Sequence, residues 1–364
     1  MKGKVVVYTG TEQAELREYE VSDPEPGCIL AEVVQANVCG SELHIWTGGH
    51  PSVRPGQVLG HEMVLRVAKL GEGVTTDFAG QPLREGDRIV CTYFQICRRC
   101  PSCQAGQFNL CQDTYRYWSQ PAATPPHFHG AFATHYYVHP DQYVYRVPES
   151  IPNTVAASAN CALSEMLFGV ERAGVKAGET LVIQGAGGLG LYGTAVAKVR
   201  GARVIVVDGV PLRLEQARQF GADEVVDFRE YPTFAERQAR IQSLTGGLGP
   251  DAVIDVTGVP SSFEDGWQLL RPGGRLVEIG TISPGRKTEV DVGLMTRRGV
   301  QIIACLRYQP WYLRLALEFL VAHQDRFPFD ALVDAVYPLE EAVQALRDSA
   351  ARKVTRASLA VEGR

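Results

Sequence analysis

The segment Gly185-Ala186-Gly187-Gly188-Leu189-Gly190 constrains this chain more than any other. It follows the apolar run Leu181–Gln184 and opens a helical pattern, which is the G-x-G-x-x-G context of a dinucleotide-binding turn. Gly185 permits the tight turn, Gly187 lets the backbone approach a pyrophosphate, and Gly190 lets the helix pack on the strand. The helix N-terminus, with Gly188 and Leu189 in its first turn, offers free N–H groups and partial positive charge to phosphates. Asp208 ends the run Val204-Ile205-Val206-Val207, eighteen residues beyond Gly190. A carboxylate there accepts hydrogen bonds from the adenosine ribose and repels a 2′-phosphate, which favours NAD over NADP. Arg213 is placed to lie over the adenine. The plain alternative is a glycine-rich turn of an unrelated α/β protein, with Asp208 on the surface; strand, turn, helix and acid in register argue against it.

Six strand-like runs surround this turn: Leu181–Gln184, Arg203–Val207, Glu224–Asp227, Ala252–Val256, Arg275–Ile279 and Gln301–Ala304. Helical stretches separate them, such as Pro211–Phe220, with Gly221 as its stop. This alternation predicts a doubly wound parallel sheet of six strands. The part before Cys161 differs. Short apolar runs at Lys4–Tyr8, Ile29–Val38, Met63–Val67 and Arg88–Thr92 are divided by Gly, Pro and Asp, and predict a β-rich domain, a compact sheet or a partly closed barrel. After Ala304, helix-like Trp311–His323 and Leu339–Ser349 and strand-like Ala357–Val361 return to that domain, so the parallel sheet is an insertion. A length of 364 residues accommodates two domains. Their expected bounds are 1–157 with 306–364, and 158–305.

Charge narrows the partners. With 36 Lys and Arg against 41 Asp and Glu, the net charge is -5, which gives nucleic-acid binding no support. No apolar run is long enough to span a bilayer. The N-terminal residues lead straight into strand-like sequence without a signal segment, so a cytoplasmic protein is expected. Nine cysteines are then many. Four of them, Cys97, Cys100, Cys103 and Cys111, fall in one short loop, and in a reducing compartment such clustering points to metal rather than disulfides. Four thiolates complete a tetrahedral zinc and leave no position for substrate, so this site is structural. Arg98 and Arg99 are expected to offset its negative charge. An iron–sulfur cluster uses the same ligand set and stays open on spacing alone.

Three scattered pieces suggest a second metal: Cys39-Gly40-Ser41-Glu42-Leu43-His44, Gly60-His61-Glu62, and Cys161. Two thiolates and an imidazole leave one open position, as catalytic zinc requires. Alone, each cysteine fits a small buried hydrophobe and His61 a hydrogen-bonded core histidine. Spacing does not join them.

A resemblance does. In the order and approximate spacing of Cys39-x-Ser41-x-x-His44, Gly60-His61-Glu62, Gly86-Asp87-Arg88-Ile89, the four-cysteine loop, Cys161, and Gly185–Gly190 with Asp208, the chain resembles the medium-chain, zinc-dependent alcohol dehydrogenase family over nearly its full length. The resemblance implies a Rossmann domain inserted in a GroES-like catalytic domain, with the site in the cleft between them. It implies that Cys39, His61 and Cys161 hold a catalytic zinc and that Glu62 is an alternate ligand. The implied reaction is reversible NAD-linked hydride transfer that oxidises a primary or secondary alcohol. Ser41 takes the proton of the bound alcohol, which passes by way of the nicotinamide ribose to His44 and solvent; imidazole ordinarily titrates in a range that suits this. The cofactors expected are two zinc ions and NAD; the partners are an alcohol or carbonyl substrate and further copies of the chain, as a homodimer or homotetramer with Arg275–Ala304 as the contact.

Weaker assignments follow from the same likeness. Arg356 resembles an arginine that contacts the pyrophosphate, and Trp46 and Tyr93 stand where aromatic residues line the pocket. His127, His129, His135 and His139 read as loop and strand surface. Two positions depart from the pattern. Gly40 replaces an arginine that some relatives direct at the cofactor phosphate, and Glu165 replaces a small hydroxyl residue near the nicotinamide. Polyol and threonine-type amino-alcohol dehydrogenases share the scaffold but often carry a carboxylate at the position of Cys161. From another class, a non-catalytic dinucleotide-binding protein would not need Ser41 and His44 beside an open ligand set.

Overall fold

Every residue of Ile29–Asn37 except Glu32 is buried, the mark of a strand covered on both faces. In the computed structural model, which describes residues 1–50 and 53–361, it lies inside a seven-stranded sheet. The chain divides into two units. Met1–Ser164, Gln309–Gln324 and Phe329–Arg364 make the first, and Glu165–Tyr308 with Asp325–Pro328 the second. The sequence pattern put these changes at 157/158 and 305/306.

The first unit runs through β1 (Lys2–Gly10), β2 (Gln13–Glu20), β3 (Ile29–Asn37), α1 (Gly40–Trp46), β4 (Glu62–Leu70), β5 (Arg88–Cys91), α2 (Pro101–Gln104), β6 (His135–Val138), β7 (Val144–Arg146), α3 (Asn153–Ala156) and a π-helical turn at Ala159–Leu163. The second holds α4 (Ser164–Arg172), β8 (Thr180–Gln184), α5 (Gly188–Val199), β9 (Arg203–Asp208), α6 (Pro211–Gln219), β10 (Glu224–Asp227), α7 (Phe234–Leu244), β11 (Ala252–Asp255), α8 (Pro260–Leu269), β12 (Arg275–Glu278), α9 (Val292–Arg298) and β13 (Gln301–Ala304). The chain then returns to the first unit with α10 (Tyr312–His323), β14 (Ala335–Pro338), α11 (Ala342–Ala350) and β15 (Ala357–Ala360).

In the first unit the strand order is β14-β15-β3-β4-β5-β7, with β6 also on β3. The C-terminal β15 pairs antiparallel with β3, Leu359 opposite Ala36. That pairing brings Ser358 beside Asn37, just ahead of α1. The core beneath includes Val33, Leu65, Ile89, Phe132 and Leu359. Trp46, expected beside a pocket, belongs to this core at 2% exposure, and with Trp118 it is among the largest side chains filling it. The reading of the histidine-rich patch as surface is corrected. His129, His135 and His139 are buried, and burial lowers their ring pKa values, that of His139 to about 3. His127 and His129 bond the carbonyls of Ala122 and Thr124, each at 2.9 Å, and so brace their loop from within.

The second unit is a six-stranded sheet in the order β10-β9-β8-β11-β12-β13, all parallel. This is the doubly wound arrangement that places ligands at the carboxyl ends of the strands. Gln184, Asp255 and Glu278 stand in register at those ends on β8, β11 and β12. In-register neighbours share a face. Asp255 and Glu278 each secure the following loop, through Thr257 N–H and Thr281 N–H at 2.8 and 2.7 Å. Asp255 Oδ2 and Glu278 Oε2 are buried with no hydrogen-bond partner among the described residues. Burial, and then the neighbouring Asp255, push the Glu278 carboxyl up to about 7. The folded state therefore holds a proton that the unfolded state releases nearer pH 4.5, so this stabilisation is lost as pH rises through about 7. Glu278→Gln is expected to raise the melting temperature more at pH 8 than at pH 5; equal shifts at both would show that Glu278 does not titrate in this range.

Candidate metal centre and dinucleotide turn

The metal donors are assembled by hydrogen bonds that begin at a helix cap. Cys39 caps α1, and its N–H donates to Glu42 Oε2 at 3.0 Å, as the third residue of a capping box does. The other Glu42 oxygen receives His61 Nδ1 at 2.5 Å. An ionised carboxylate only accepts, so Nδ1 carries a proton, and in the neutral ring, the form that binds metal, the lone pair is on Nε2. Nε2 faces Cys161 Sγ, 3.2 Å away, and Cys161 Sγ lies 3.9 Å from Cys39 Sγ. Two thiolates sharing a tetrahedral zinc with bonds of about 2.3 Å stand roughly 3.8 Å apart. The donor atoms of Cys39, His61, Glu62 and Cys161 all lie within 4.8 Å of one another, and all four residues are buried. These residues fit a zinc ion with three ligands and one further position.

The electrostatics favour a cation. Contact with Cys161, together with His61, holds the Cys39 thiol well below its ordinary range despite burial. Burial alone would lower His61; the charge of Glu42 outweighs it. Burial pushes the Glu62 carboxyl up to about 8, and the Arg356 guanidinium offsets that rise only in part. Arg356 donates to both Glu62 oxygens and is itself 5% exposed. In the first unit Arg356, the residue expected to contact the pyrophosphate, is the counter-ion of the fourth potential donor. Its backbone explains the placement, since Arg356 N–H is held by Asp334 Oδ1 at 3.1 Å just before β15. Ser41 Oγ donates to Cys39 Sγ at 3.5 Å, and His44 lies one turn further along α1. The Tyr93 ring stands 4.9 Å from that of His61. Glu42 was missed as a functional residue from the sequence. Its signal was positional: an acid three residues after the cap that carries a ligand.

The loop Cys97–Cys111 brings its four sulfur atoms within 4.8 Å of one another. Backbone N–H groups point at them: Cys97 N to Cys111 Sγ and Cys100 N to Cys97 Sγ at 3.3 Å, and Asp113 N to Cys111 Sγ at 3.4 Å. Such donors stabilise thiolates, and those of Gln112 and Cys103 bring Cys100 down to about 6. The expected role of Arg98 is corrected. Its guanidinium turns to Asp141 at 3.6 Å and over the rings of Phe78 and Tyr143.

The glycine turn has the shape a dinucleotide needs. A Cβ on Gly190 would fall 1.9 Å from Gly185 O, so only glycine lets α5 pack there. A Cβ on Gly187 would meet no protein atom within 4 Å. That glycine answers no internal packing demand and leaves room for a ligand to approach. No side chain caps α5, whose first turn holds Gly188 and Leu189. Asp208 closes β9 and is buried; its carboxylate accepts Ala186 N–H and Gly209 N–H at 2.7 Å and Val210 N–H at 2.9 Å. Arg213 is half-buried on the first turn of α6, and Glu165 is buried on the first turn of α4.

Known proteins share this layout. Residues 25–149 match the alcohol dehydrogenase GroES-like domain, and residues 188–322 the zinc-binding dehydrogenase domain. The 5-exo-hydroxycamphor dehydrogenase of Pseudomonas putida is 31% identical over 345 residues, 94% of each chain. The sorbitol dehydrogenase of Bacillus subtilis is 30% identical over 88% of this chain and 86% of its own. An alcohol dehydrogenase from Thermotoga maritima superposes with a TM-score of 0.93 at 29% identity, covering 100% of both chains. No helix among the described residues is long and apolar enough to cross a membrane. With its metal donors, its parallel six-stranded sheet and these relatives, the chain belongs to the zinc-dependent medium-chain alcohol dehydrogenase family.

Proposed function

We propose that this dehydrogenase carries two zinc ions, one at Cys39, His61 and Cys161 and one in the cysteine loop, and uses NAD to interconvert an alcohol with its aldehyde or ketone. The observation that carries this reading is the buried three-donor set with the Ser41 hydroxyl 3.5 Å from one of its sulfurs. When bound, zinc supplies a Lewis acid that makes an alcohol hydroxyl acidic, and NAD supplies the hydride acceptor. Ser41 Oγ receives the alcohol proton and His44, on the next turn of α1, delivers it to water. Glu42 keeps the His61 proton on Nδ1 and its other nitrogen free for metal. Arg356 holds Glu62 as an ion pair, in reserve as an alternate ligand. Tyr93 forms one wall beside His61.

NAD rather than NADP is supported by Asp208. Three backbone N–H groups fix its carboxylate at the end of β9, where it cannot swing aside for a 2′-phosphate. A cytoplasmic setting is supported by nine cysteines that are all free of disulfides. A homodimer, with a homotetramer as the larger alternative, is supported by β13, an edge strand with Ile302 exposed, and by the exposed Val292 and Leu294 on α9. Neither nucleic acid nor membrane enters this reading. A polyol or amino-alcohol is the second substrate reading. The buried carboxylate of Glu165, four residues after Cys161, favours it, and relatives include the sorbitol dehydrogenase and an L-threonine 3-dehydrogenase of Pyrococcus horikoshii, 34% identical over 76% of this chain and 74% of its own.

Metal analysis of the purified protein is expected to give two zinc ions per chain, and Cys161→Ser to retain one with loss of turnover; full activity and two zincs in that variant would refute the ligand assignment. With a panel of primary, secondary, cyclic and polyol alcohols, NAD is expected to exceed NADP in kcat/KM on the order of a hundredfold, since apposed like charges cost several kcal/mol. Faster turnover with NADP would overturn the role given to Asp208.

A further inference from the structure

We infer that Asn160 is a positioning residue for the zinc proposed at Cys39, His61 and Cys161, because its side-chain amide ties the backbone of His61 to the turn that carries Cys161. The inference rests on the zinc reading above. Asn160 has no solvent exposure. Its Nδ2 donates to His61 O at 2.8 Å and to Cys91 O at 3.0 Å. Both partners are carbonyls, so the amide group must present its two N–H donors to them.

The bonds fall beyond the end of the β4–β5 ladder. β4 and β5 pair at Leu65 with Ile89 and at Arg66 with Arg88, and the ladder ends there. His61 and Cys91 lie beyond that end, with carbonyls that no opposite strand takes up in this ladder. Asn160 bridges them from the π-helical turn Ala159–Leu163, and the next residue is the ligand Cys161. Single widened turns of this kind occur often at functional sites. Ser164 Oγ donates to Ala159 O at 2.6 Å and so accommodates a carbonyl of the widened turn.

The result is one unbroken path through all three ligands. Cys39 N–H bonds Glu42, Glu42 bonds His61 Nδ1, His61 O bonds Asn160, and Asn160 is joined covalently to Cys161. Glu42 sets the ring of His61; Asn160 sets its backbone against the second thiolate. Without Asn160, His61 and Cys161 keep the side-chain contact of Nε2 with Sγ at 3.2 Å but lose this tie between their backbones.

Asn160→Asp tests this with little change of shape, because it turns oxygen toward two carbonyls. Asn160→Ser is the milder variant and keeps one donor. Zinc release into a chromogenic chelator is followed from the full-length, zinc-loaded protein, with Cys161→Ser identifying the cysteine-loop ion. Both variants are expected to release the ion held by Cys161 at least about tenfold faster, as loss of a partner behind a ligand typically does, while the cysteine-loop ion leaves at the parental rate. With cobalt in place of zinc, the thiolate-to-metal absorption band is expected to shift in both. Parental release from both sites overturns the inference, and so does equal acceleration at both, which would mark a general loosening. A parent protein that loses no zinc on Cys161→Ser would overturn the underlying zinc reading instead.

Discussion

The arrangement depends on holding two thiols and an imidazole from residues 39, 61 and 161 within reach of one ion. Like charges oppose this. Cys39 and Cys161 bring their sulfurs to 3.9 Å in a buried place, beside the carboxylate of Glu42, which has no exposure at all. Burying an unpaired charge costs several kcal/mol even after relaxation. Each acid here is accordingly committed elsewhere: Glu42 to His61 and the cap of α1, Glu62 to Arg356. What remains uncompensated is the pair of thiolates, and a divalent cation is the partner that matches both their charge and their softness. The site is therefore coupled to folding through its metal, since ligands drawn from distant segments are brought together only in the native chain.

The first unit supplies these ligands from places that are individually rigid. Cys39 sits at a helix cap, His61 immediately before β4, and Cys161 in a π-helical turn. Arg356 arrives from the far end of the chain because β15 pairs with β3. The C-terminal strand thus completes the charge balance of a site whose ligands come from the N-terminal half. An interior strand whose only contribution was packing would not require a buried guanidinium just before its first residue.

Much of this was legible beforehand, and the pattern of what was not has physical causes. All six parallel strands were visible as short apolar runs between helical stretches: β8, β9 and β11 because they are buried on both faces, and the edge strand β13 because its isoleucines read the same way although it is largely exposed. β2 was not: Gln-Ala-Glu-Leu-Arg-Glu-Tyr-Glu pairs only with β1 and stays largely exposed, so its composition resembles a loop. β6, with His135 and two tyrosines, hides its burial behind residues that are usually half-exposed. The same effect misplaced the histidine patch. Local sites were readable from spacing, as the glycine turn and the cysteine loop were. The three-ligand site was readable only through resemblance, because no spacing rule connects residues 39, 61 and 161. The Arg356–Glu62 pair and the burial of Trp46 were hidden for a related reason. Which neighbour a long or large side chain reaches is decided by tertiary packing, not by its position in a motif.

Glu62 shows how close the competing states of such a site are. Its carboxylate lies within the 4.8 Å set of potential donors, yet both of its oxygens are bonded to Arg356. Moving it onto a metal would strand a guanidinium that is 5% exposed, and removing one partner of a buried pair is more costly than forming it is favourable. The arginine thus sets a barrier against a fourth protein ligand. As long as Arg356 holds Glu62, the open position belongs to whatever oxygen enters from outside, which is the condition that separates a catalytic zinc from a structural one. In the cysteine loop all four donors converge, so an ion held by them would have no open position.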